Sequence, residues 1–356
     1  MTTYTEHLDP AHVQQDLITW YQSVKRDMPW RRQVNPYYTL VSETMLQQTQ
    51  VATVIPYFER FVAQFPTPEA LANASEEAIL KAWEGLGYYR RVRNLQIAAQ
   101  MIVARGGFPD SHAQILELKG VGPYTAGAIA SIAFGIPAPA VDGNVFRVMS
   151  RVCGIFDDIM KSSSRKVFEQ VISQLISHSD PSSFNQGLME LGATVCKPTN
   201  PNCLACPFAS YCKAYNEGLI TELPVKTKPV KQKRVPLAVG VIQNPQGQIL
   251  ITKRPDTGLL ANFYELVQME HTSKEVAVEV LINQLSSDGF VVTGHQLIGQ
   301  FKHVFTHRVW EMDAHVVRVS SAPEPAENQL WIAVDELESH SLAVAHQRIV
   351  AQWQGL

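Results

Sequence analysis

The chain has 356 residues, 46% of them hydrophobic and 18% charged, with a net charge of −3; it is too long for most single cores and too apolar for a disordered chain, so two folded domains are expected. Bulk charge does not mark a nucleic-acid binder, no apolar run approaches the ~20 residues of a membrane span, and the polar start is not a secretory signal. Five cysteines, four of them bunched, point to a reducing compartment, the cytoplasm, and to a metal or cluster site.

Asp9-Pro10 opens an amphipathic helix with Val13, Leu17, Trp20, Tyr21 and Val24 on one face. Helical patterns broken by Pro and Gly continue to about Gly218, without an alternating strand pattern. Across Tyr38–Val51, helical spacing puts Leu40, Val41 and Thr44 in one stripe and Glu43, Gln47 and Gln50 on a neighbouring face. Most helical glutamates are simply solvated. An amide-rich face suits base edges better than bulk water, which makes Glu43 a candidate functional acid. Residues 81–105 contain Lys81, Arg90, Arg91, Arg93 and Arg105 against Glu84, beside Tyr88 and Tyr89. That mixture suits phosphate contact and base stacking.

Ser111, with Gln114 three residues on, is a capping-box start for a short helix. Gly120 and Gly122 then free the backbone for a sharp turn, and Pro123 suits the first position of a second helix. The outward N–H groups of Gly120, Val121 and Gly122 and of the helix start can hold a phosphate oxygen without reading a base. After the breaker run Gly135–Pro139, Asp142 begins a helix marked by Val145, Val148, Met149 and Val152. Taken alone, such an aspartate is an N-cap.

Cys196, Cys203, Cys206 and Cys212 form a C-x6-C-x2-C-x5-C run. Four thiolates suit zinc, but zinc sites usually pair two knuckles across a longer spacer, and four thiolates in one compact loop also suit a 4Fe–4S cube. Cys153 lies on an apolar face and reads as core. Residues 219–235, with Lys226, Lys228, Lys231, Lys233 and Arg234, read as a stiff basic linker. Beyond it, Leu237–Gln243 and Gln248–Lys253 read as strands around an Asn244–Gly247 turn, Thr272–Leu285 as a helix, Leu297–Val319 as further strands and the tail as a short helix. The expectation is an all-α domain over 1–218 followed by an α+β domain over 236–356.

Leu118-Lys-Gly-Val-Gly-Pro-Tyr-Thr-Ala-Gly127, with Asp142, resembles the hairpin and aspartate of the helix-hairpin-helix DNA glycosylase superfamily, and the cysteine spacing that of its endonuclease III and adenine-glycosylase branch. Ser42-Glu-Thr-Met-Leu-Gln-Gln-Thr49, Trp83-Glu-Gly-Leu-Gly-Tyr-Tyr-Arg90 and Val141-Asp-Gly-Asn144 narrow the resemblance to the MutY-type adenine DNA glycosylases, over essentially the whole chain. The resemblance implies a glutamate, Glu43, that protonates adenine N7 and an aspartate, Asp142, that stabilises the cationic sugar. Tyr124 and Asn144 would support that aspartate and the intermediate. It places Arg26, Trp30 and Gln186 in an adenine pocket, Gln48 and Tyr88 as wedges into the base stack, and Thr49 and Leu86 among the DNA contacts. It makes the loop 196–212 the holder of one 4Fe–4S cluster.

Residues 236–356 resemble the Nudix-like domain that such enzymes append, here without the magnesium-binding acidic signature, so recognition without catalysis is implied. Phe305, Thr306 and His307 stand where the family contacts 8-oxoguanine. The implied partner is double-stranded DNA carrying adenine opposite 8-oxoguanine or guanine, met by a monomer at the nucleoid and not by a membrane protein. Tyr124 occupies the place where endonuclease III-type enzymes carry a Schiff-base lysine, so a monofunctional glycosylase is expected ahead of a bifunctional lyase. A non-catalytic DNA-binding module would have no need of both Glu43 and Asp142.

Overall fold

A computed structural model describes residues 4–227, 232–272, 276–305 and 307–355. The chain divides into two compact units, Met1–Lys228 and Pro229–Leu356.

The first unit is helical. Its helices are α1 (Pro10–Val24), α2 (Pro29–Arg32), α3 (Pro36–Leu46), α4 (Val51–Gln64), α5 (Pro68–Ala72), α6 (Glu76–Ala82), α7 (Arg90–Ala104), α8 (His112–Leu116), α9 (Pro123–Phe134), α10 (Gly143–Cys153), α11 (Ser162–Leu175), α12 (Pro181–Thr194) and α13 (Lys213–Asn216). Local chemistry sets most of the starts. Asp9, Asn35, Thr67, Ser75, Ser111, Asp142 and Asp180 each accept a first-turn N–H with the side chain, which satisfies donors the helix itself leaves orphaned. On α1, Val13, Leu17 and Tyr21 face inward as the spacing predicts, but Val24 turns to solvent.

One core gathers α1, α10, α11 and α12 around Leu17, Val148, Phe168, Phe184 and Leu188. Helix α9 ties this group to the other side of the unit, because it packs on α3, α8 and α12 together. Its Thr125–Ser131 stretch is fully buried. Small residues make that possible: a Cβ on Gly127 would lie 1.8 Å from the Pro139 carbonyl oxygen. The segment leading into Asp142 therefore runs directly against α9.

The 219–235 stretch is not a free linker along its whole length. Leu223 is buried in the helical core, and Leu219, Ile220 and Val225 pack against it. Ile159 donates its N–H to the Val225 carbonyl at 3.1 Å. At the far end, Lys233 already begins a strand. The apolar residues ahead of the lysines are what fold the first part of the stretch down.

In the second unit, β1 (Lys233–Gln243), β2 (Ile249–Lys253), β3 (Tyr264–Glu270), β4 (Val291–Val304), β5 (Arg308–Ser321) and β6 (Gln329–Ile332) form one sheet in the order β4-β5-β1-β3-β2-β6. The β1–β5 pair is parallel, and the other pairs are antiparallel. Alternation along β1 sends Leu237, Val239 and Val241 to one core and Ala238 and Ile242 to the other. The first face is covered by α15 (Val344–Gln354), the second by α14 (Ala277–Ser287). The Asn244–Gly247 turn forms as expected: Asn244 Oδ1 accepts the N–H groups of Gln246 and Gln248, and Gly247 takes φ +80°. Strands β3 and β6 were not legible in the sequence, and the helix expected from Thr272 begins at Ala277.

The Gly127–Pro139 contact yields a stability prediction. Gly127→Ala must separate α9 from the 138–141 segment, and is expected to lower unfolding free energy by roughly 3 kcal/mol. Urea unfolding followed by circular dichroism measures it, and a loss near zero would show that the approach of α9 is not close.

Candidate active site

Glu43 sits on α3 at 5% exposure, so it is not a solvated helix edge. Tyr124, in the first turn of α9, donates its hydroxyl to the Glu43 carboxylate, with the Met189 sulfur 3.7 Å from the same oxygen. Asp142 is both the N-cap of α10 and a wall of the same cleft. Its Oδ1 accepts the Val145 N–H at 2.7 Å, and its Oδ2 accepts the Asn144 side-chain amide at 2.8 Å. The fold thus brings Glu43, Tyr124, Asp142 and Asn144 to one cleft. Of the two residues expected beside the aspartate, Asn144 donates to it, and the Tyr124 hydroxyl reaches the glutamate.

The two carboxyls are in different electrostatic states. Burial pushes Glu43 up to about 7; the Tyr124 hydrogen bond lowers it, the Asp142 charge raises it and Arg31 lowers it. Burial raises Asp142 too, against the opposing Val145 N–H, the Asn144 amide and backbone, and Arg147. More donors converge on Asp142 than on Glu43, and donors favour the anion. Glu43 is the group poised to hold a proton near neutrality.

Helix α3 ends at Leu46. Gln47 is its C-cap, and Gln50 begins α4, so neither shares a helical face with Glu43. The amides instead belong to a tight connection in which Gln48 takes φ +58°.

Arg26, Trp30 and Gln186 line the cleft. Arg26 pairs with Glu190, a carboxylate buried to 1% exposure. Arg31 reaches the same carboxylate at 2.9 Å and Gln186 Oε1 at 2.9 Å, while its guanidinium lies 5.4 Å from the Tyr21 ring. Trp30 is fixed edge-on to Phe58 at 5.3 Å. Glu190, Arg31 and Tyr21 escaped the sequence reading. The signal was Glu190 one helical turn after Gln186, two polar side chains on a helix whose neighbours Leu188 and Leu191 are core.

The hairpin forms between α8 and α9, with Ser111 accepting the Gln114 N–H at 3.4 Å. Gly120 is required there: φ is +77°, and a Cβ would lie 2.6 Å from that of Asn94. Gly122 is not; its φ of −98° is open to any residue, and nothing lies near a Cβ. Val121 uses its N–H on the Leu118 carbonyl at 3.1 Å, so it is not a donor to phosphate. Thr49 and Tyr88 stand at the surface, but Leu86 is turned inward at 6% exposure and is not presented to DNA.

The basic run at 81–105 is largely neutralised. Lys81 pairs with Glu84 at 2.9 Å, Arg93 with Glu76 at 2.6 Å and Arg105 with Glu117 at 2.5 Å. Glu76 and Glu117 lie outside the window that made the run look unopposed. Arg91 is buried and faces the interior.

Cys196, Cys203, Cys206 and Cys212 line one chamber walled by Val148, Leu191, Val195 and Ile220. Arg151, buried, directs Nη1 to Cys196 Sγ at 3.4 Å and bonds the Leu223, Lys197, Pro198 and Ile220 carbonyls. Among the described residues, no group of three His, Cys, Asp or Glu side chains is placed to hold a single metal ion. Cys153 is core, and burial pushes its thiol up to about 12. The chamber is joined to the cleft through α10. Arg147 donates to the Cys196 carbonyl at 2.7 Å, the Gly192 carbonyl at 2.7 Å and Asn144 Oδ1 at 2.9 Å. Gly192 permits this approach, since a Cβ there would lie 2.5 Å from that of Asn144.

Residues 41–174 match the family described as HhH-GPD superfamily base excision DNA repair protein, and residues 238–352 match the NUDIX domain. An adenine DNA glycosylase of Rattus norvegicus is 34% identical over 97% of this chain and 78% of its own length. One of Arabidopsis thaliana is 34% identical over 83% of this chain, which spans 55% of that longer protein. Among solved structures, a thermostable thymine-DNA glycosylase superposes with a TM-score of 0.52 at 27% identity, over 58% of this chain and 96% of its own.

The Tyr124 contact can be tested without any substrate. Tyr124→Phe removes a hydrogen bond that lowers the Glu43 pKa, so the carboxyl midpoint is expected to rise above about 7. Carbon-13 NMR of labelled glutamate side chains reads it. A downward shift would mean that the tyrosine does not donate to the anion.

Proposed function

This chain belongs to the adenine DNA glycosylase family, and from that premise we propose that it hydrolyses the N-glycosidic bond of adenine opposite 8-oxoguanine or guanine in duplex DNA. It is a base-excision DNA glycosylase. The observation that carries the finer reading is the pairing, in one cleft, of a buried carboxyl poised near neutrality with an aspartate held by anion-favouring donors. Cleaving a glycosidic bond needs one group to protonate the leaving base and one anion to stabilise an oxocarbenium ion.

In this proposal Glu43 delivers its proton to N7 of an extrahelical adenine, with Tyr124 orienting the carboxyl. The adenine is extracted because its reacting atoms are inaccessible within a duplex. Arg26, Arg31, Gln186 and Glu190 line the cleft as paired polar groups, and Trp30 supplies an aromatic wall. Asp142, positioned by its own helix and by Asn144, stabilises the cationic sugar. The hairpin position that would carry a Schiff-base lysine holds Tyr124, and Lys119 points to solvent, which supports hydrolysis without strand cleavage.

The four cysteines and Arg151 fit a 4Fe–4S cluster: four thiolates around one chamber, with a buried cation turned toward sulfur. When bound, the cluster supplies iron–thiolate bonds that cross-link the 196–212 loop. Arg147 then holds the Cys196 backbone and Asn144 in one arrangement. Four cysteines bunched in one loop suit a reducing compartment, and we propose that the chain acts in the cytoplasm, at the nucleoid, as a monomer.

For 8-oxoguanine, His307 is exposed and available. Phe305 is packed instead between His303, 4.7 Å away, and Trp310, 4.8 Å away, so its part is to support the loop. Thr306 lies outside the described residues.

Glu43→Gln keeps the shape and removes the proton. Single-turnover adenine release from duplexes with adenine opposite 8-oxoguanine is expected to fall by about 100- to 10,000-fold, with duplex binding retained and no strand break before alkali in either protein. A rate within a few-fold of wild type would remove Glu43 from the role. With the wild type, release is expected to be slower above pH about 7, since a group whose pKa is raised to that value must be protonated to act.

The cofactor assignment has its own measurement. The purified protein is expected to carry about four irons per chain, with a broad absorbance of thiolate-to-iron character that disappears on chelation. One zinc per chain in active, colourless protein would overturn it.

A further inference from the structure

Two exposed non-glycine residues hold left-handed backbone, Gln48 at φ +58°, between the cleft-lining Leu46 and Thr49, and Tyr88 at φ +50°. Each is exposed at the tip of a tight connection, one between α3 and α4, the other just before α7. Left-handed backbone is costly for residues with a side chain and persists only where the surroundings enforce it. Here one guanidinium bonds the carbonyl that precedes each of them.

Arg91, at 8% exposure, extends from the first turn of α7 between the two connections. Its Nη1 donates to the carbonyls of Thr44 at 2.9 Å, Met45 at 3.0 Å and Gln47 at 2.5 Å. Its Nη2 donates to the carbonyls of Leu86 at 3.1 Å and Gly87 at 3.2 Å, and to Thr49 Oγ1 at 3.4 Å. The carbonyls immediately before Gln48 and before Tyr88 are both in that set. The guanidinium also lies 5.4 Å from the rings of Trp83 and of Tyr88.

Every acceptor is neutral, and among the described residues Arg91 pairs with no carboxylate. A buried cation without a counter-ion is an expensive way to join two loops. An apolar side chain could fill the space, but it could not dictate where six oxygens point. The two Nη groups of a planar guanidinium can, four N–H donors in one plane with the Nε–H left unpartnered among the described residues, and lysine has neither the plane nor the number of donors.

We propose that Arg91 is a positioning residue that locks the Gln48 and Tyr88 connections into one rigid jaw, set in advance to enter the base stack as the adenine leaves it. The inference rests on the base-excision reading and adds to it how the jaw is built. A pre-set jaw avoids ordering two strained loops during extraction, a cost that would otherwise be met on every encounter. It also accounts for an arginine that the basic run made look like a phosphate contact.

The test is a mutant cycle on the full chain. Arg91→Lys is expected to lower single-turnover adenine release from a stacked duplex by about 10- to 100-fold. Fluorescence of 2-aminopurine placed at the target position is expected to drop at saturating enzyme, showing that extrusion is what is lost. In a Gln48→Ala/Tyr88→Ala background the same substitution is expected to change release by less than about threefold, because the groups it positions are gone. If the effects instead multiply, or if extrusion is normal and only cleavage is slow, Arg91 does not act through the jaw.

Should Arg91→Lys not fold, as thermal melting would reveal, Gly87→Ala approaches the same contact from the loop. Its φ is +69° and the space around it is open, so a methyl strains the carbonyl that Arg91 holds without a clash. It is expected to reproduce the extrusion defect, and wild-type extrusion in this variant overturns the proposal. Wild-type release on an adenine–8-oxoguanine duplex reports separately on the underlying activity, which stands whichever way the cycle falls.

Discussion

The bond from the Val145 N–H to Asp142 Oδ1 is the constraint on which the site depends. It caps α10, and it fixes where a carboxylate stands in the cleft. Capping alone does not require the charge, since asparagine caps as well as aspartate. A negative charge at a helix start is favourable there because of the N–H groups and the dipole, which offsets part of the burial that raises the Asp142 carboxyl. The remainder of α10 carries this placement outward. Arg147 and Arg151 run from its middle to the cysteine loop, and Gly127 and Gly192 let the neighbouring helices close on its entry. One eleven-residue helix thus holds Asp142 at one end and the cysteine chamber along its flank.

Glu43 is the complement of that arrangement. It lies in a helix interior, where the backbone donors are already used, and the tyrosine hydroxyl and distant charges are what act on it. Desolvation then dominates, and the carboxyl moves toward neutrality. Two carboxyls in one cleft therefore differ through their local donors, the difference on which the proposed acid and anion roles rest. The like charge of Asp142 pushes Glu43 the same way. The division is a property of helix geometry, with one carboxyl before a first turn and the other beyond it.

The sequence was legible where local chemistry decides. Helix starts at Asp9, Ser111 and Asp142, the Asn244–Gly247 turn and the strand alternation after Leu237 all follow from residue type and spacing, and the structure has them. It was illegible where a long-range partner decides. Arg91 and Arg93 are neighbours in a basic run, yet one enters the interior and the other meets Glu76. Glu190 looked like a residue of an amphipathic helix until Arg26 and Arg31 arrived from a distant element. Strands β3 and β6 carry no clear alternation of their own, and their places come from long-range pairing, β3 between β1 and β2 and β6 along β2. Gln47 and Gln50 failed for a different reason: helical spacing was carried past a helix end that no Gly or Pro marks.

Several unfavourable terms in the helical unit lie close together. A buried cation that pairs with no carboxylate among the described residues joins two left-handed, side-chain-bearing connections, beside a cleft that holds a carboxyl driven toward neutrality. The core behind it is conventional, with Phe61, Trp83, Phe168 and Phe184 fully buried, each burial worth about 1.5–3 kcal/mol. A domain retains only about 5–15 kcal/mol of net stability, so that many unfavourable features can persist in one place only if the surrounding packing over-determines it. Trp83 connects the two sets. It packs edge-on to Phe61 at 5.8 Å, lies under the Arg91 guanidinium and donates its ring N–H to the Gly87 carbonyl at 3.1 Å. The two strained connections are thereby founded on fully buried core, and the proposed entry into a base stack calls for that foundation, since a yielding loop would give way before the base did.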